Sequence, residues 1–191
     1  MKKQIIYLFI FFNYALIAQT NSNLDRINLL LQDVCKKVSS KLDNPIVLNF
    51  QSPANLSFLK NRTEVYFTEL DKISSKSIKD TLSFNVEEAG ISYSKIIKSG
   101  FFGDYYVERS AYIKGTYLAK VEKRTAFANE FTLSIIDSVN YDDISKLENF
   151  SLPFTRGTLP PEPIAPSIIE PLIAISSAVL TVVLFFTVRS K

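Results

Sequence analysis

Apolar residues recur along this chain with three rhythms, and each rhythm predicts a different element. Two stretches are apolar almost without interruption. The first runs from Ile5 to Ala18 with only Asn13 inside it, after Lys2 and Lys3 and before the polar Gln19-Thr20-Asn21-Ser22. Basic, then apolar, then polar is the order of a secretory signal peptide. Its 14 residues make ~21 Å of helix, short of a hydrocarbon core of ~30 Å. Cleavage after Ala18 is therefore expected, and residues 1–18 are assigned to the signal. The second stretch, Ile168 to Val188, has 21 residues, or ~31 Å of helix, which matches a bilayer. Ser167 and Glu170 have capping-box spacing, Pro171 falls in the first turn, and Arg189-Ser190-Lys191 supplies a basic flank. A transmembrane helix over 168–188 with a cytoplasmic tail at 189–191 is expected.

Between these stretches the second and third rhythms appear. Leu24, Ile27, Leu31, Val34 and Val38 recur at spacings of three and four, after the candidate caps Asn21, Ser22 and Asn23, which predicts a helix with Leu30 and Cys35 widening its buried stripe. Pro45 ends it, and Ile46 to Phe50 reads as a short strand. From Asn55 a second helix is expected, with Leu56, Leu59, Tyr66, Phe67 and Leu70 on one side. Alternation then takes over at Leu82 to Val86, continuing through Ile91 to Ile97 up to the turn Gly100-Phe101-Phe102-Gly103. The clearest period of two follows: Tyr105, Val107, Ala111, Ile113, Tyr117, Ala119 and Val121 share one face, interrupted by Arg109. A return strand from Ala126 to Asp137 gathers Phe127, Phe131, Leu133 and Ile135, and residues 142–148 read as a closing helical turn. The predicted fold is α+β: an antiparallel sheet of about four strands with two main helices on one face, plus the C-terminal transmembrane helix.

Six of the eight prolines lie between Pro153 and Pro171, and a segment so rich in proline is neither regular helix nor central strand. Residues 151–167 are assigned to an extended stalk and residues 19–150 to the folded domain. The apolar residues of Phe150-Ser151-Leu152-Pro153-Phe154 are expected to pack the chain's exit against that domain.

Composition then narrows the chemistry. The 191 residues include no His and one Cys, which removes the commonest general base, the commonest metal ligand and any internal disulfide. Of 22 basic residues, Lys2, Lys3, Arg189 and Lys191 lie at the two ends, so 18 face 19 acidic ones over the rest of the chain. A near-neutral middle does not fit a nucleic-acid binder, whose basic residues concentrate on the folded domain. The run Lys72-Ile73-Ser74-Ser75-Lys76-Ser77 reads as a polar loop, and the pairs Glu87-Glu88 and Asp142-Asp143 as solvated surface. Gly90, Gly100, Gly103, Gly115 and Gly157 are scattered and form no phosphate loop. No catalytic, cofactor-binding or metal-binding residue is assigned, and no cofactor is expected. The candidate partner contact is the aromatic set Phe101, Phe102, Tyr105 and Tyr106, placed at a hairpin tip between two glycines.

The element order resembles the small α/β domains of bacterial envelope assembly proteins: the curli secretion lipoprotein, the TolB amino-terminal domain and flagellar outer-membrane accessory proteins. The residues that carry the resemblance are Ile46 to Phe50 and the hairpin from Ala111-Tyr112-Ile113-Lys114-Gly115-Thr116-Tyr117 to Phe131-Thr132-Leu133-Ser134-Ile135-Ile136-Asp137. It implies envelope scaffolding or assembly, and it lends no functional residue. The expected protein is a single-pass, non-enzymatic interaction or scaffold domain, extracytoplasmic and periplasmic in a Gram-negative cell. Its expected partners are membrane lipid through 168–188, an envelope protein, and a further copy in a homo-oligomer, Ala174, Ser177, Ala178 and Thr181 having the spacing that supports helix pairing. The competing reading is a ligand-binding sensory or receptor subunit that signals through a partner's span.

Overall fold

The computed structural model describes residues 21–74, 80–100, 103–122, 124–161 and 165–189; the expected signal segment, 1–18, lies outside them. The chain divides into two compact units that part between Thr158 and Leu159.

In the first unit, helix α1 (Asn23–Ser39) opens on a capping box. The Ser22 hydroxyl accepts from the Asp25 backbone N–H at 3.2 Å, and the Asp25 carboxylate accepts from the Ser22 N–H at 3.1 Å. The predicted stripe is the buried one: Ile27, Leu30, Leu31, Val34, Cys35 and Val38 all enter the core. Burial pushes the Cys35 thiol up to about 12, so this cysteine is a small apolar core residue rather than a nucleophile. Strand β1 (Val47–Gln51) follows, then a single 3₁₀ turn at Ala54–Leu56 that leads into helix α2 (Phe58–Glu69). Leu56, Leu59 and Phe67 are buried, while Tyr66 and Leu70 are half-buried.

Three long strands complete the unit: β2 (Thr81–Lys98), β3 (Tyr105–Val121) and β4 (Arg124–Asn140). The sheet order is β1-β2-β3-β4. Leu82 to Val86 and Ile91 to Ile97 belong to one strand, bulged between Val86 and Glu88 and between Tyr93 and Ile96. The sheet is mixed, which corrects the expected antiparallel one: β1 runs parallel to β2, with Val47 beside Thr81 and Phe50 beside Phe84. The connection explains the direction. Between β1 and β2 the chain makes a crossover through α2, and a crossover returns a strand parallel to its neighbour where a tight hairpin would return it antiparallel. The other two pairs are hairpins and are antiparallel.

One sheet face carries the core. Phe84 stacks on Phe50 at 6.2 Å and on Phe131 at 5.4 Å, and meets Phe67 of α2 edge-on at 5.9 Å. This row of rings runs from β1 to β4 beneath the helices. Short helix α3 (Ile144–Leu147) and a 3₁₀ turn at Pro153–Thr155 close the unit. Phe154 and Thr155 are buried in it, whereas Phe150 is 69% exposed.

The second unit contains helix α4 (Ala165–Arg189), with Pro171 inside it. Ser176, Thr181 and Thr187 turn their hydroxyls onto the carbonyls of Leu172, Ser177 and Val183. Among the described residues no helix is long and apolar enough to cross a membrane. The transmembrane helix expected at 168–188 does not stand, and with it go the single-pass arrangement, the lipid contact through that segment and the cytoplasmic placement of 189–191.

Candidate interaction surface

Alternation along the three long strands sends one set of side chains to the helices and leaves the other set on an uncovered face. On that open face Asn85, Thr116 and Glu130 stand side by side on β2, β3 and β4, with Gln51 beside Asn85 on β1. They line a shallow cleft of about 480 Å³ together with Ser83, Leu118 and Ala128. Further along, Tyr112 lies across Gly90 of the neighbouring strand, and its hydroxyl donates to Glu88 at 3.1 Å. Burial, and after it Glu88, holds the Tyr112 phenol above its ordinary range. Ile136 of β4 is 64% exposed on this face.

The sheet's edges differ sharply. Strand β1 has five residues and is bracketed by Pro45 and Pro53, the features that blunt an edge against further pairing. The part of β2 that extends past β1 is met by the chain near Gly157, where an added Cβ would stand 2.7 Å from the Tyr93 ring and 3.1 Å from the Ile91 carbonyl oxygen. Strand β4 has β3 on one side and, among the described residues, no strand on the other. Its 17 residues contain neither proline nor lysine and extend about 55 Å. On the helix-facing side Phe127, Leu133 and Ile135 are only half-buried, so this edge offers apolar area as well as backbone hydrogen-bonding groups.

A buried polar clasp holds β4 in place. Arg109, the residue that interrupts the apolar face of β3, is 0% exposed. Its Nε and one terminal nitrogen donate to the two carboxylate oxygens of Asp137 in β4 at 2.8 and 2.7 Å. The other terminal nitrogen donates to the Asn21 carbonyl and to Asn23 Oδ1, both at 2.9 Å. Arg26 of α1 reaches the same Asp137 carboxylate at 2.7 Å. Asn23 in turn donates to the Tyr93 hydroxyl at 2.7 Å and to the Thr155 carbonyl at 2.8 Å. The clasp therefore ties β2, β3, β4, the start of α1 and the end of the unit at one point. Burial pushes the Asp137 carboxyl up, but the hydrogen bonds and charge of Arg109, with Arg26 behind them, hold it below the usual carboxylate range. Burial also raises the Tyr93 phenol, which keeps it neutral beside Asn23.

Of the residues singled out from the sequence, Tyr105 and Tyr106 open β3 and are half-buried. As strand neighbours they face opposite sides of the sheet; the Tyr105 ring lies 5.3 Å from Lys98 Nζ. Phe101 and Phe102 lie outside the described residues, as do Ser75 to Ser77 of the serine and lysine run. Lys72 of that run donates to the Leu42 carbonyl at 2.6 Å. Asp143 pairs with Lys146 at 2.7 Å, and no group of three metal-ligating side chains occurs among the described residues. The clasp went unread in the sequence, although its signal is there: Arg109 and Asp137 each interrupt an apolar alternation, and antiparallel pairing sets them opposite each other.

No protein-family model matches the chain, and no curated protein matches it. Among solved structures it is similar to rare lipoprotein B from Shewanella oneidensis, with 10% identity and a TM-score of 0.31 over 49% of this chain and 67% of that one. It is also similar to a minor lipoprotein from Acinetobacter baumannii, with 20% identity and a TM-score of 0.34 over 51% of this chain and 70% of that one. Neither is one of the envelope proteins expected from the element order, and likeness this loose carries no argument about fold or function.

Proposed function

We propose that the first unit is a non-catalytic interaction domain of the bacterial cell envelope, and that it docks its partner along the free edge of β4. The observation that carries this reading is the contrast between edges: β1 is short and proline-bracketed, while β4 presents 17 residues without proline or lysine. An unpaired edge of that length is a template for an added strand, in which main-chain hydrogen bonds supply affinity and alternate side chains supply selectivity. The envelope setting is supported by the basic-apolar-polar order of residues 2–22. The hairpin residues Phe101, Phe102, Tyr105 and Tyr106 are retained as a second contact region.

Site-specific photo-cross-linking in intact cells tests it. A photoreactive residue at Thr132 or Ser134 on β4 is expected to give a discrete adduct, and one at Ser83, two strands in from that edge, is not. An adduct from Tyr106 extends the docking surface to the hairpin end of β3. Absence of adducts at Thr132 and Ser134, with the protein folded and exported, contradicts the reading. The cleft lined by Gln51, Asn85, Thr116 and Glu130 favours a second reading, a small polar ligand held on the open face. Saturable protection of the Ser83 position by a small molecule from the envelope fraction distinguishes it.

A further inference from the structure

The free edge of β4 is complementary to itself. On its helix-facing side, apolar positions are interrupted twice, by Asn129 and by Asp137. Turning an antiparallel copy about Leu133 sets Phe131 against Ile135, Phe127 against Val139, and Asn129 against Asp137. Apolar positions then face apolar ones, Phe131 and Val139 being already buried and Phe127 and Ile135 half-buried, and the Asn129 amide faces the Asp137 carboxylate of the clasp. Turning the copy about residue 131, 132, 134 or 135 instead places Asn129 or Asp137 against an apolar side chain. A symmetric antiparallel pair also keeps faces matched, because a two-fold axis normal to the sheet leaves both helix layers on one side. In the Leu133 register Thr132 meets Ser134 on the open face, a pairing whose hydroxyls can hydrogen-bond across strands.

We propose that the partner of the β4 edge is a second copy of this chain, joined β4 to β4 about Leu133 into a continuous eight-stranded sheet. The proposal rests on the edge-docking reading and names its occupant. It also accounts for the unequal edges, because the outer strands of such a dimer are the two short, proline-bracketed β1 strands.

The chain as it is exported tests this in solution. Light scattering is expected to give twice the mass of a single copy at high concentration. Leu133→Cys is expected to cross-link to itself on mild oxidation, because residues on the axis of an antiparallel pair come within disulfide reach. Ala128→Cys, which faces residue 138 of the other copy, is expected not to; Cys35 is fully buried and stays silent. A folded chain that remains monomeric at every concentration overturns the proposal, as does equal cross-linking at 133 and 128. In the cellular experiment, a Ser134 adduct with a different protein leaves edge docking standing and overturns the second copy, whereas no adduct at β4 removes both.

Discussion

Replacing Asp137 with alanine is expected to cost about 3 kcal/mol of stability, near the lower end of what removing one partner from a buried ion pair costs. The lower end applies because the Asp137 side chain is 22% exposed, while Arg109 is 0% exposed. Truncation leaves the Arg109 guanidinium buried with two of its donors unpaired, and it strips Arg26 of its carboxylate. Chemical denaturation read by circular dichroism measures the loss. The double variant Arg109→Met with Asp137→Ala is expected to lose less than the sum of its two single changes, because each single change strands the other's partner. Additive losses would show that Asp137 and Arg109 are not coupled. The same carboxyl sets an acid limb. Its folded pKa is lowered, so its stabilising contribution is present above the ordinary carboxylate range and drains away as pH falls through the lowered value. Stability of the native chain should therefore decline below about pH 4, and Asp137→Asn should flatten that decline.

The other large effect is expected at Gly115, in the middle of β3. A Cβ there would stand 2.1 Å from the Asn85 carbonyl oxygen and 2.7 Å from the Phe131 ring. The space above Gly115 is taken by Phe131, its cross-strand partner, whose ring reaches over it to stack on Phe84 at 5.4 Å. Neither neighbour can yield cheaply: one is backbone in the adjoining strand at a bulge, the other is fixed in the aromatic row. Gly115→Ala should cost about 3 kcal/mol, at the upper end of overpacking. Gly90 offers the matched control on the open face. A Cβ there meets only the Tyr112 hydroxyl end, at 2.8 Å, and that side chain can swing into solvent. Gly90→Ala is expected to change stability by less than about 0.5 kcal/mol. Equal losses at the two glycines in thermal denaturation would contradict this account of the sheet.

Much of the α+β fold was legible because its signals are local. The stripe Ile27-Leu31-Val34-Val38 and the alternation from Val107 to Ala119 each decide an element within one stretch of chain, and the helix and strand lie where those patterns put them. The direction of β1 was not legible, because Ile46 to Phe50 has the same alternation in either orientation; only the crossover through α2 makes it parallel to β2. The segment 168–188 shows the limit of counting apolar residues alone, since its length and apolar content fitted a membrane span that the described helix does not provide. For the candidate site, the aromatic set at 101–106 was visible as composition. The β4 edge was not, because a strand becomes an edge through sheet order, which alternation does not encode. The clasp was half visible: Arg109 was an anomaly on an apolar face, but its meaning required Asp137 on the next strand and Asn23 at the start of α1.

Amide hydrogen exchange along β4, followed in the full-length chain from dilute to concentrated solution, bears most directly on whether this edge is a pairing surface. In an unpaired edge strand alternate amides point away from the sheet and exchange fast, while their neighbours are protected by β3. The fast set between residues 126 and 139 is expected to become protected as concentration rises, centred on Leu133, with β1 unchanged. Fast exchange of those outward amides at every concentration, with the inward set still protected, would contradict it.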